Sequence, residues 1–239
     1  IRVVGIHIAD VSAYVEEGTP LDHEAALRGT SVYLTGRTIP MLPEALSAGT
    51  CSLVPGEDRL AISVFVSFNA EHAQAKSWIE RTIVRSRARL TYSQAQSALT
   101  DEPASEATPF VNDLRGLHEI AKQLNERCAA AGAIDLDLPE PEIELDEQGH
   151  PTGIRPRERL DSHRLIEAFM LLANHVVAER LTERGVPFLN RVHDPPDAEK
   201  LEAFTDVAAE FGHPLPRGPK GPRELQSYLA SIAGKPGAQ

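Results

Sequence analysis

The fold is decided by a stretch near the start of the chain, Val3-Val4-Gly5-Ile6-His7-Ile8-Ala9-Asp10-Val11-Ser12-Ala13-Tyr14-Val15. Its first half is rich in β-branched residues, which predicts a strand over residues 3–9. Because these apolar residues alternate little with polar ones, we expect the strand to be buried on both faces of a sheet. Turn-forming residues follow the strand at Asp10, Ser12 and Gly18.

Asp10 comes directly after the strand, which is where α/β folds place catalytic groups. A simpler interpretation is that its carboxylate caps the turn by accepting hydrogen bonds from backbone N–H groups. On the residues alone, this structural role is favoured over a catalytic one.

The composition of the chain indicates one α/β domain, or part of one, with an ample core: 239 residues, of which 41% are hydrophobic. No run of about 18 apolar residues predicts a membrane span. The two cysteines have no metal-site spacing, so an intracellular, reduced protein is expected. The net charge of −11 argues against a simple electrostatic nucleic-acid binder, although a local basic groove is compatible with it.

Hydrophobic periodicity and turn signals divide the rest of the chain into helices and strands. For example, Thr91 and Gln94 have the spacing of a capping box at a helix start, and Gly132 is expected to end a helix. Together they predict a mixed α/β (α+β) fold, in which helices pack on a mixed sheet. A hairpin is expected from strands over 60–68 and 75–90, and two short strands over 142–145 and 152–156. The predicted helices cover residues 22–28, 43–48, 92–99, 110–131, 161–184, 197–211 and 223–232, and a Gly/Pro-rich connector covers 212–222.

Four motifs then follow one another in a specific order: GIHIADVSAYV (5–15), RGTSVYL (28–34), IPMLPEAL (39–46) and CSLVPGEDRLA (51–61). This series resembles the catalytic RNB domain of the ribonuclease II / ribonuclease R family of processive 3′→5′ exoribonucleases. The resemblance is clear over residues 1–196 and fainter to 234. We therefore expect residues 1–239 to be a partial catalytic domain that lacks an upstream aspartate cluster and the C-terminal part.

The resemblance implies a fragment of an enzyme that hydrolyses single-stranded RNA to 5′-mononucleotides with Mg²⁺. The family's metal-binding aspartates would lie upstream of Ile1, so no catalytic or metal-binding residue is assigned here, and the chain alone is expected to be inactive. Asp10, Asp135 and Asp137 are not justified as replacements. A monomeric cytoplasmic protein with flanking OB-fold domains is also implied.

Three residues are assigned to substrate binding by the resemblance. Tyr33, in SVYL, would stack on an RNA base, and Tyr92, in LTY, would lie near the phosphate of the last nucleotide. Glu167, in RLIEAFMLLAN, would contact the sugar of the terminal nucleotide, and a 2′-OH contact distinguishes RNA from DNA. Helical spacing puts His163 and Glu167 on one strip, which is expected to be half-buried, and a local His163–Glu167 pair is the alternative to a binding role.

Further positions qualify this assignment. In the family, a second aromatic residue clamps the RNA base from the other side; it would fall near residues 134–138, where this chain has Leu136.

Residues 76–89 contain five basic side chains against one acid, a local charge of +4, and Arg85, Arg87 and Arg89 are expected on one strand face. These arginines either follow the RNA backbone or form a solvated sheet edge, and both interpretations stay open. His193 lies in the family-like segment RVHDPPD but is assigned no chemistry.

Two other functions stay open besides the exoribonuclease. The chain could belong to a non-catalytic RNA-binding protein on the same fold, in which the upstream carboxylates have been lost. It could also be a structural or regulatory interaction module, for which the acidic net charge and Leu136 are the arguments.

Overall fold

The computed structural model describes residues 1–100, 106–134, 140–192, 194, 196–215 and 221–235. Three strands, β1 (Arg2–Ala9), β4 (Asp58–Phe68) and β5 (Gln74–Arg85), form an antiparallel sheet in the order β1-β4-β5. Two separate hairpins pair β2 (Val32–Leu34) with β3 (Arg37–Ile39) and β6 (Pro141–Leu145) with β7 (Pro151–Pro156). The mixed helix-and-strand class is confirmed, and the described strands all pair antiparallel.

The expectation that the first strand is buried on both faces is wrong. β1 lies at one side of the described sheet, and within it only Val4 is buried, while Val3 and Ile8 are exposed. The central position belongs to β4, which pairs with β1 on one side and with β5 on the other. A run of β-branched residues favours a strand but does not determine its neighbours in the sheet.

The apolar core lies on one face of β4. Val64, Val66 and Phe68 are fully buried there. They pack with residues of two long helices, α3 (Val111–Ala131) and α4 (Asp161–Glu183), in one apolar cluster. The other members of the cluster are Val4, Ile120, Ala121, Leu165, Ala168, Phe169, Leu172, Ala173 and Val176.

The helix ends follow the capping signals in the sequence. α1 (Pro20–Arg28) begins after Thr19, whose side chain accepts a hydrogen bond from the Asp22 N–H. α2 (Tyr92–Leu99) begins with the predicted capping box, in which Thr91 and Gln94 exchange hydrogen bonds. α3 ends at Gly132 with a φ of 102°, a left-handed conformation that favours glycine. The last two helices are α5 (Ala198–Glu210) and α6 (Pro222–Ile232), close to their predicted bounds.

Two local predictions need correction. The short helix expected over 43–48 is a π-helical turn, Ala45–Thr50. The strand predicted over 75–90 is too long, because β5 ends at Arg85 and Ser86 forms an isolated bridge to Pro55. Part of the predicted connector, residues 216–220, lies outside the described residues. None of the described helices is both long enough and apolar enough to cross a bilayer.

Replacing Phe68 with alanine should destabilise the chain strongly. Its side chain is fully buried, so the change leaves a cavity in the core and should lower the free energy of unfolding by about 3–5 kcal/mol. Urea unfolding, followed by the fluorescence of Trp78, the only tryptophan, measures this change. The control is Ile83→Ala on β5, whose side chain is 69% exposed, with an expected change within about 0.5 kcal/mol. Equal losses of stability in the two variants would contradict the assigned core.

Candidate nucleic-acid interface

Tyr92 is fixed by the first turn of α4. It is the first residue of α2, and its ring stacks on the His163 ring with the ring centroids 4.0 Å apart and an interplanar angle of 22°. The Ser162 hydroxyl donates to the Tyr92 carbonyl oxygen at 2.8 Å, and the Ser162 N–H donates to Gln96 Oε1 at 3.1 Å. Ser162 is only 2% exposed. We call these contacts of Ser162 and His163 with α2 the α2–α4 latch.

His163 is held in one tautomer by the start of its own helix. Its Nδ1 accepts a hydrogen bond from the Leu160 N–H at 3.1 Å, so this nitrogen carries a lone pair and no proton. Burial lowers the pKa of His163, and the nearby Arg157 and Arg159 charges lower it further. A neutral ring is therefore stacked on Tyr92. The alternative expected from the spacing, a local His163–Glu167 pair, is wrong because His163 bonds to Leu160 and Glu167 bonds to Arg159.

Glu167 lies one turn further along α4 and is exposed, whereas the sequence predicted a half-buried carboxylate. Its Oε2 accepts from the Arg159 guanidinium at 3.1 Å, which orients the carboxylate towards a cavity of about 620 Å³ between α3 and α4. Charged residues of both signs line this cavity: Lys122, Arg159, Arg164, Glu126, Asp161 and Glu167. An open cavity of mixed charge suits a ligand with both phosphates and hydroxyl groups.

Tyr33 belongs to a different part of the fold. It lies on β2, pairs with Thr38 across the hairpin and is 79% exposed. Neither Tyr33 nor Tyr92 lines the cavity beside Glu167. The β2–β3 hairpin approaches the β6–β7 hairpin where Gly36 meets Leu145, so close that a Cβ at residue 36 would lie 3.0 Å from Leu145 Cδ1. The structure therefore brings Tyr92 and Glu167 to one helix end and leaves Tyr33 on a separate hairpin.

The three candidate arginines do not share one strand face, which corrects the prediction from sequence. Arg85 is the last residue of β5 and forms two hydrogen bonds to the Asp58 carboxylate, at 2.7 and 2.8 Å. The Arg85 hydrogen bond lowers the pKa of Asp58, so the pair is ionised and its charges cancel. Arg87 and Arg89 follow the strand, are exposed and have no ion pair with any described residue.

Asp10 has structural partners, but they are side chains and not the backbone N–H groups that were expected from the sequence. Its side chain is 4% exposed and accepts a hydrogen bond from the Ser12 hydroxyl at 2.5 Å, while the Arg81 guanidinium lies 3.4 Å away. The side chain accepts no capping hydrogen bond from the backbone. Its favoured structural role thus rests on Ser12 and Arg81, because the following turn is closed by the Asp10 carbonyl oxygen instead.

The described residues do not fit a magnesium site. Within this part of the chain, no three His, Cys, Asp or Glu side chains come close enough together to bind a metal ion. Asp10 already has its oxygens occupied by Ser12 and Arg81. Asp135, Leu136, Asp137 and His193, four positions discussed from the sequence, lie outside the described residues.

The sequence alone does not indicate Ser162 and Arg159, the residues that position Tyr92 and Glu167. Ser162 and Tyr92 are 70 residues apart in the chain, so no local pattern indicates their contact. Arg159 precedes α4 and bonds to a residue two turns inside it. The only sequence signal was the capping box at Thr91, which correctly makes Tyr92 the first helical residue.

The chain is similar to ribonuclease R proteins both in sequence and in structure. Ribonuclease R from Aquifex aeolicus is 42% identical over 235 residues, which are 97% of this chain and 33% of that protein. The structure of Mycoplasma genitalium RNase R in complex with ribose-methylated single-stranded RNA superimposes with a TM-score of 0.92 and 27% identity, and covers 99% of this chain and 37% of the other. Yeast Ssd1, described as a pseudonuclease, has the same fold at a TM-score of 0.75 and 20% identity, over 98% of this chain and 28% of its own.

The chain thus spans about a third (33%) of the length of the Aquifex relative. A family model described as RNB domain matches residues 2–238, which is almost the whole sequence. The chain therefore belongs to the RNB domain family.

Proposed function

We propose that the chain is the substrate-binding part of a processive 3′→5′ exoribonuclease, which hydrolyses single-stranded RNA to 5′-mononucleotides. The observation that carries this proposal is the α2–α4 latch, which fixes Tyr92 on the same helix end as Glu167. Relatives named Ribonuclease R, and a solved RNase R bound to single-stranded RNA, support RNA as the substrate. Because the chain is a third of the length of such relatives, the proposal concerns the whole protein.

Each candidate residue has a chemical role that its surroundings support. Glu167 offers carboxylate oxygens that can accept the 2′-OH of the last ribose, which DNA lacks. Tyr92 offers an aromatic ring and a phenolic hydroxyl beside it. Tyr33, which is 79% exposed, can stack on a base without selecting its identity.

In this proposal, residues elsewhere in the whole protein carry out the hydrolysis of the phosphodiester bond. We propose Mg²⁺ as the cofactor of the whole protein, on the strength of the family resemblance alone. The described residues supply no group fit for that ion, and no step of the reaction is derived through it. A monomeric state, flanking OB-fold domains and a cytoplasmic location are also expected from the family resemblance alone.

A non-catalytic RNA-binding protein is the second candidate. Its support is the shared fold of yeast Ssd1, a protein described as a pseudonuclease. The two candidates differ in one product: only an exoribonuclease releases 5′-mononucleotides from an end-labelled RNA. The acidic net charge of −11 would be common to both, so it does not separate them.

Replacing Glu167 with alanine in the full-length protein should weaken discrimination between RNA and DNA. The variant loses the oxygens that accept the 2′-OH, and one hydrogen bond to a charged group is worth about 1.5–3 kcal/mol, or roughly a tenfold to hundredfold change. The measurement compares the affinity and turnover of an RNA with those of a DNA of the same sequence. The wild-type protein should release 5′-mononucleotides from the RNA.

The matched control is Glu179→Ala on the same helix, where the carboxylate pairs with His175 instead. It should leave the RNA-to-DNA ratio unchanged. An unchanged ratio in the Glu167 variant would contradict the role of Glu167. Binding of RNA by the wild-type protein without any release of mononucleotides would instead favour the non-catalytic candidate.

The three arginines should differ in their contribution to RNA affinity. Arg87→Gln and Arg89→Gln each remove a positive charge that forms no ion pair among the described residues. Each should therefore reduce the slope of log K against log salt by about 0.7 for every RNA phosphate that the side chain neutralises. Arg85→Gln is the control, because the charge of Arg85 is balanced by Asp58. Binding titrations at several salt concentrations measure these slopes. Equal slopes in all four proteins would indicate a solvated sheet edge.

A further inference from the structure

The residue at the third helical position of α4 is unusual for its capping role. At this position Glu or Gln commonly accepts a hydrogen bond from the N–H of the N-cap residue. Here the N-cap residue is Leu160, and the acceptor is Nδ1 of His163. Glutamine would satisfy the Leu160 N–H equally well but has no aromatic ring. Helix capping therefore does not explain why an aromatic ring is present at residue 163.

The ring of His163 has a second contact, which is its stack on the Tyr92 ring. The two rings lie nearly parallel with centroids 4.0 Å apart, and the Leu160 hydrogen bond fixes the orientation of the His163 ring. Ser162 separately fixes the backbone of Tyr92, because its hydroxyl donates to the Tyr92 carbonyl oxygen. The Ser162 hydrogen bond leaves the side-chain torsions of Tyr92 undetermined, whereas the stack with the His163 ring acts on the tyrosine ring itself.

His163 also connects the two candidate substrate residues. It lies four residues before Glu167, so both side chains project from the same face of α4, one turn apart. Arg159 bonds to Glu167 from just before the helix. One helix start thus determines the position of the carboxylate and the orientation of the tyrosine.

We propose that His163 is a positioning residue, whose ring holds Tyr92 in the orientation that binds the terminal nucleotide of the RNA. This inference rests on the proposed function, in which Tyr92 and Glu167 both contact that nucleotide. His163 acts through Tyr92 and does not contact the reacting atoms.

Two substitutions in the full-length protein separate the two tasks of His163. His163→Gln keeps an acceptor for the Leu160 N–H and removes the ring. It should melt close to the wild-type temperature but lose about 3- to 10-fold in kcat/KM on single-stranded RNA, the range that corresponds to an aromatic pair. His163→Phe keeps a ring and removes the acceptor. It should melt at a lower temperature and keep kcat/KM within about twofold, because the stacking surface is preserved. His175→Gln, at an exposed position of the same helix, is the control and should change neither quantity.

A double-mutant cycle with Tyr92→Ala distinguishes positioning from a general structural effect. Because His163 acts through Tyr92, His163→Gln should cause no further loss when Tyr92 is already absent. The proposal is overturned by wild-type kcat/KM in His163→Gln, by an equal loss in His163→Phe, or by a loss that persists undiminished without Tyr92. If the wild-type protein releases no mononucleotides, the proposed nuclease function fails. The same cycle, measured on RNA affinity, then supports or overturns the role of His163.

Discussion

The apolar packing of β4 against the helices α3 and α4 is the interaction on which the rest of the structure depends. Val64, Val66 and Phe68 are completely excluded from water there, and burying such side chains is the main favourable term in folding. This packing fixes α4 along most of its length through residues such as Phe169 and Val176. Since Ser162 and His163 are at the start of α4, their reach to α2 depends on it.

The candidate site is assembled by polar contacts at the end of that packed helix. Ser162 binds the backbone of α2, His163 stacks on Tyr92, and Arg159 orients Glu167. These contacts are hydrogen bonds, an ion pair and a ring stack, so their main contribution is geometric. An apolar core provides a rigid base, and a few hydrogen bonds at its rim set the angles of the side chains that face a ligand.

Local signals in the sequence predicted much of the fold, because helix caps depend on neighbouring residues. Thr91 with Gln94 and Gly132 mark helix ends correctly. Errors arose where distant residues decide: β1 is less buried than its β-branched run suggests because β4 takes the central place, and Arg85 is neutralised by Asp58, a partner 27 residues away. Within the site, the family motifs pointed to Tyr92 and Glu167, but the contacts that position them join residues too distant for any periodicity to reveal.

The 70-residue separation between Ser162 and Tyr92 has a consequence for how the protein is made. A ribosome releases the chain from the N-terminus, so Tyr92 and the whole β4–β5 hairpin leave the exit tunnel well before α4 does. During that interval the tyrosine lacks both of its anchors, and the apolar face of β4 lacks α4. The contacts that orient Tyr92 therefore form only after α4 has emerged, and a nascent chain carries the tyrosine long before it carries the site.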